Sequence, residues 1–158
     1  MTSFNTKEIQ KAYGTGLAHV LHEHGLTHKN LADATGISLG TVNHYVQGIQ
    51  MPSAYRAYQI AIATGVLVSD TLDGKFNYSI GLASKTPHTK EEFIAGVSKI
   101  IVKMAKIKGL AQNELAEKAG VNVGTLANVM LCKRAPGLAL LEHVSNALGV
   151  KVDDLLPY

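Results

Sequence analysis

The chain is written twice. An offset of 84 residues lays GLTHKNLADATGISLGTVNHYV, starting at Gly25, onto GLAQNELAEKAGVNVGTLANVM, starting at Gly109, without a gap. The register holds through Pro52 on Pro136, Gly65 and Val66 on Gly149 and Val150, Asp70 on Asp154 and Leu72 on Leu156. Self-similarity at a fixed period means one supersecondary unit copied. Two domains of roughly 65–75 residues are therefore expected, each near the lower size for an independent core. The expected division is 5–74, a linker at 75–88, and 89–158.

Hydrophobic spacing makes both units helical. Asn5 with Glu8, and Thr89 with Glu92, read as capping boxes, in which a side-chain oxygen takes a free N–H and the glutamate reaches back. Behind the first box Ile9, Tyr13, Leu17, Val20 and Leu21 recur at steps of three and four. Behind the second, Ile94, Val97, Ile101, Met104 and Ala105 do likewise. Gly25 and Gly109 suit the left-handed turn that ends such a helix. Thr27 then caps a short second helix carrying Leu31, Ala32 and Ala34, broken by Gly36. Ser38 caps a third helix over about Leu39 to Gln47. The second unit repeats this with Leu115, Ala116 and Ala119, the break at Gly120, the cap Asn122, and a third helix from Val123 to about Leu131.

The small Ala32 and Ala116 allow a close helix crossing, and Val42 with Tyr45, and Leu126 with Val129, form the buried stripe of each third helix. Pro52 and Pro136 restart the chain into a fourth helix, and VLVSDTL and VKVDDLL close each unit with a short fifth. Between the units, FNYSIGLA alternates enough for a short strand or an ordered connector.

In this order the elements resemble the helix-turn-helix domain of the lambda repressor and Cro family, the XRE type. The pattern is GL-x4-LA-x3-G, a cap, the third helix, a proline and a closing LGV-x-x-DDLL; the second unit matches it almost throughout. The resemblance implies an all-α fold of two tandem five-helix domains. It also implies double-stranded DNA as partner, with the third helix in the major groove. Carried over by position, the DNA-facing residues are Ser38, Leu39, Gly40, Thr41, Asn43 and His44 in the first unit. In the second they are Asn122, Val123, Gly124, Thr125, Ala127 and Asn128. Asn128 can pair with adenine, His44 with a base acceptor or a phosphate, and Leu39, Thr41, Val123 and Thr125 with a thymine methyl. Gly40 and Gly124 would let the backbone approach DNA closely.

The family usually opens its second helix with a glutamine that contacts phosphate and buttresses the third helix. Gln112 fits that position, and the first unit has His28 instead. Lys133 and Arg134 stand in the loop where the family makes backbone contacts. The first unit has Ile49 and Gln50 there, with Arg56 and Lys29 as candidate substitutes. Phosphate contacts carry much of the affinity, so the second unit is the expected anchor. The family's pairing of a first-helix arginine with a third-helix glutamate is replaced by Leu21 with Val46 and by Ala105 with Met130, an apolar exchange that the fold tolerates.

Other features admit two readings. His19, His22, His24 and His28 sit at helical spacing but lack a second ligand set, so solvated or core-edge histidines are expected rather than a metal site. Cys132 aligns with Gly48 and is expected as a small packing residue. Tyr45, Tyr55 and Tyr58 suit either the core or a dimer surface. Lys103, Lys106 and Lys108 are either a solvated helix face or a phosphate-facing patch. The net charge of +3 permits a polyanionic partner without requiring one. A single cysteine excludes an internal disulfide, and no run approaches the roughly 18 apolar residues of a membrane span. MTSFNTKEIQ lacks a signal-peptide layout.

No phosphate loop, zinc-spaced pair or nucleophile–base set is present, so neither catalysis nor a cofactor is expected. The expected protein is a transcription regulator, foremost a repressor of a phage or other mobile element, in the cytoplasm of a bacterial host cell. Two readers would engage an imperfect palindrome, and a homodimer would extend it. The competing reading is a protein-interaction module, an anti-repressor or co-regulator, in which Leu39 and Val123 grip another regulator or RNA polymerase.

Overall fold

A computed structural model of the chain describes residues 6–158; the Asn5 end of the first capping box lies outside them. Among these residues all regular structure is helical. The first repeat folds into α1 (Thr6–Glu23), α2 (His28–Thr35), α3 (Leu39–Val46), α4 (Ala54–Thr64) and α5 (Val68–Leu72). A connector turn, α6 (Ile80–Ala83), follows. The second repeat folds into α7 (Lys90–Ile107), α8 (Gln112–Ala119), α9 (Val123–Met130), α10 (Leu138–Leu148) and a closing 3-10 turn, Val152–Leu155. The described residues divide into two compact units: 6–52 and 56–87 with Tyr158, and Ser53–Tyr55 with His88–Pro157.

In the first unit α1 packs against α3 and α5, and α2 against α3. Ile9, Tyr13, Leu17, Val20 and Leu21 are all buried, as their spacing predicts. Tyr45 and Tyr58 are core residues, and Tyr55 is half-buried. Two helix-weakening glycines inside α1 carry a packing role that the spacing of apolar residues does not reveal. A Cβ on Gly14 would stand 2.5 Å from the Tyr45 carbonyl oxygen, and one on Gly16 would stand 1.7 Å from that of Thr71. Both sites admit a neighbouring helix at backbone distance.

The second unit solves the same contact differently. Ser98 takes the position equivalent to Gly14, is buried, and its hydroxyl donates to the Met130 carbonyl at the end of α9. The buried face of α7 is consequently Phe93, Val97, Ser98, Ile101 and Ala105, whereas the expected Ile94 and Met104 are only half-buried. Apolar periodicity passes over a serine; a buried hydroxyl with a carbonyl partner is stable there. The fifth helix is α-helical in the first repeat and a 3-10 turn in the second.

The connector is ordered and forms no strand. Ser79 N–H donates to the Gly65 carbonyl at 2.7 Å, Lys75 N–H to that of Asp70 at 2.8 Å, and the Ser79 hydroxyl caps α6. His24 Nε2 donates to the Phe76 carbonyl at 3.0 Å, its ring lies edge-on to Tyr78, and Leu82 is buried. Segment 75–84 thus folds against the first unit.

Candidate nucleic-acid interface

Each helix-turn-helix is assembled by its caps. Thr27 Oγ1 accepts from Asn30 N–H at 3.0 Å while Asn30 Oδ1 accepts from Thr27 N–H at 2.9 Å, so the capping box closes with an amide where glutamate is usual. Gly36 ends α2 at φ 75°, and Ser38 starts α3 by accepting from Thr41 N–H at 3.2 Å. In the second unit Ala111 offers no cap oxygen, and Glu114 alone reciprocates by accepting from Ala111 N–H at 3.0 Å. Gly120 ends α8 at φ 70°, and Asn122 Oδ1 accepts from Thr125 N–H at 3.0 Å. Ser38 and Asn122 therefore spend a side-chain oxygen on holding α3 and α9 in place.

With Val42 and Tyr45, and Leu126 and Val129, facing inward, the opposite face of each third helix is left outward. Leu39 and Val123 open these faces at 46% and 47% exposure. Gly40, His44, Gly124 and Asn128 are exposed; Thr41, Asn43, Thr125 and Ala127 are half-buried. Nothing lies within 4 Å of a Cβ built on Gly40. Folding gives no packing reason for that glycine.

The first unit's polar candidates are already tied together. His28 Nδ1 meets Asn43 Oδ1 at 2.6 Å, joining the start of α2 to the middle of α3. The Ser38 hydroxyl donates to Thr41 Oγ1 at 2.7 Å, and His44 Nδ1 lies 3.3 Å from Gln50 Oε1. Two of its cations also have partners. Lys29 pairs with Asp33 at 3.1 Å, and Arg56 Nη1 donates to Gln59 Oε1 at 2.8 Å. Burial raises the Tyr45 phenol above its ordinary pKa, and the charge of Arg56 draws it partly back. In the second unit Gln112, Asn128, Lys133 and Arg134 are all exposed.

One expectation changes. Cys132 is exposed, not a packing residue, and holds φ 61° where its counterpart Gly48 has φ 73°. The backbone after the third helix requires a left-handed residue there, which alignment with a glycine signalled. Ala34 of α2 is exposed, while Ile37 in the turn is buried. Among the described residues no group of three or more histidine, cysteine or acidic side chains is placed to hold a metal ion.

The helix-turn-helix family model matches this chain at residues 20–70 and again at 102–155, spanning both turns and both third helices. The chain belongs to the XRE-type helix-turn-helix family. It is a DNA-binding transcription regulator of that type with tandem helix-turn-helix domains, in a family of regulators rather than enzymes. No curated protein and no solved structure matches it. No described helix is long and apolar enough to cross a membrane.

Proposed function

We propose that this helix-turn-helix chain is a repressor of a phage or other mobile element, acting in the bacterial cytoplasm on an imperfect palindrome read by α3 and α9. The observation that carries the reading is the duplicated outward face: both third helices present an uncovered first turn, followed by Asn43 and His44 in α3 and by Asn128 in α9. The readers are Leu39, Gly40, Thr41, Asn43 and His44, and Val123, Gly124, Thr125, Ala127 and Asn128, positioned by Ser38 and Asn122. Backbone contacts fall to His28, Arg56, Gln112, Lys133 and Arg134. Lys133 and Arg134 are both exposed in the loop after α9, where the first unit has Ile49 and Gln50, and they make the second unit the electrostatic anchor. We take 5–74 and 89–158 as the two reading domains.

Selection from a random double-stranded library at near-physiological salt tests this. Two related half-sites at a fixed spacing near one helical turn, about 10 bp, are expected. One short half-site would assign DNA to a single unit and leave the other to homodimerisation. The exposure of Leu39, Ile49 at 62% and Leu131 at 61% favours a second reading, a module that binds another regulator or RNA polymerase. No enrichment by folded protein would replace the first reading by the second.

A further inference from the structure

The contact between His28 and Asn43 does more than fasten two helices. An amide oxygen only accepts, so His28 Nδ1 carries the hydrogen and donates to Asn43 Oδ1 across 2.6 Å. With Oδ1 turned toward the start of α2, the amide NH2 at the other corner of the planar group turns away from His28. Asn43 shares α3 with the exposed Gly40 and His44 and is itself half-buried, consistent with an amide held at the edge of the outward face. The second unit cannot form this pair: Gln112 and Ala127 occupy the equivalent positions, and Ala127 has no amide to hold.

We infer that His28 is a positioning residue that converts Asn43 into a donor-only reader, so that the first unit selects an acceptor-rich base edge, guanine, where the second unit reads adenine through Asn128. The inference rests on the DNA-binding reading above. An unrestrained asparagine favours adenine, because its carbonyl accepts from N6 while its NH2 donates to N7. In Asn43 the oxygen faces His28 and the NH2 at the opposite corner is offered alone, which matches the N7 and O6 acceptors of guanine and leaves adenine N6–H without its partner. Fixing the amide before binding also removes part of the ordering cost that a free side chain incurs on binding. The duplicated fold therefore carries two different readers, and the two half-sites differ in base identity at this position.

Replacements at position 28 separate the two ends of the imidazole. Asparagine places a donor where Nδ1 stands, whereas glutamine places one near Nε2. Library selection is run with the parent chain, N43A, H28A, H28N, H28Q and H28A/N43A, and the base pair whose preference N43A alters is taken as the Asn43 position. The parent should prefer guanine there by about tenfold, each strong base contact being worth about that much. H28N should keep the preference; H28A and H28Q should lose it, and H28A/N43A should lose no more than N43A alone. Without DNA, the Asn43 side-chain amide should be rigid by NMR in the parent and H28N and mobile in H28Q. The second unit's half-site should be retained throughout, which reports on folding of the anchor. A preference for adenine at this position would overturn the inference, as would an H28A chain that binds every sequence equally more weakly with its guanine preference intact. Failure of the parent to enrich any DNA would overturn the DNA-binding reading and this inference with it.

Discussion

Gly16→Ala and Gly40→Ala are the same chemical change in two helices and should shift stability in opposite directions. A methyl on Gly16 would be centred 1.7 Å from the Thr71 carbonyl oxygen and 2.7 Å from its carbon. Both are backbone atoms, so no side chain can rotate away, and α5 must move from α1 by about 1.5 Å or more to restore contact distance. Overpacking of this kind costs about 1–3 kcal/mol, and a rigid obstacle belongs at the upper end. The gain in helix propensity from glycine to alanine returns about 1 kcal/mol. The net expectation is a loss of about 2 kcal/mol, a fall in melting temperature of about 10 °C for a unit of this size. Gly40 has nothing within 4 Å of its Cβ position, so its alanine variant should gain up to about 1 kcal/mol. Urea unfolding followed by circular dichroism measures both. A Gly16→Ala chain as stable as the parent would refute the close-approach argument. A Gly40→Ala chain that is more stable yet binds DNA more weakly would fit a glycine kept for the backbone's approach to the groove.

Ala111→Thr should supply the missing cap oxygen at the start of α8, copying Thr27, and stabilise the second unit by about 1 kcal/mol; an unchanged urea midpoint would count against it. Cys132→Gly should stabilise by about 0.5–1 kcal/mol, since the left-handed strain at φ 61° outweighs the entropy of an added glycine, and the exposed thiol gives up no packing. The Glu92 carboxylate accepts from Thr89 N–H, which holds its pKa below the usual carboxylate range. Its stabilisation is therefore full above the unfolded value and lost as pH falls through the depressed folded value, and Glu92→Gln should flatten the acid limb of a stability–pH curve. Lys133→Ala should weaken binding to all sequences alike and reduce the slope of log affinity against log salt by about one unit; an unchanged slope would remove Lys133 from the phosphate contacts.

Most of the helical frame was legible in the residues themselves, because it is governed by local terms. Apolar spacing and glycine breaks place α1 to α4, and the caps Thr27, Ser38, Thr89 and Asn122 each bond the N–H that their positions predict. The duplication carried these assignments from one unit to the other. Departures arose where a neighbour outside the local window supplied the reason. Ser98 is buried because Met130, 32 residues away, offers a carbonyl, and that contact takes part of the face expected for Ile94 and Met104.

The sequence by itself determined the kind of protein, since caps, breaks and period are short-range properties repeated at one spacing and recognisable as one family. Tertiary structure decided which of these residues act on one another. Gly14 and Gly16 look like helix-weakening residues until the Tyr45 and Thr71 backbones are brought against them. His28 and Asn43 are two polar residues fifteen positions apart until the turn between α2 and α3 sets them 2.6 Å from each other. Each of these facts depends on a distance between atoms that the packing of helices sets, and the order of residues along the chain does not contain it.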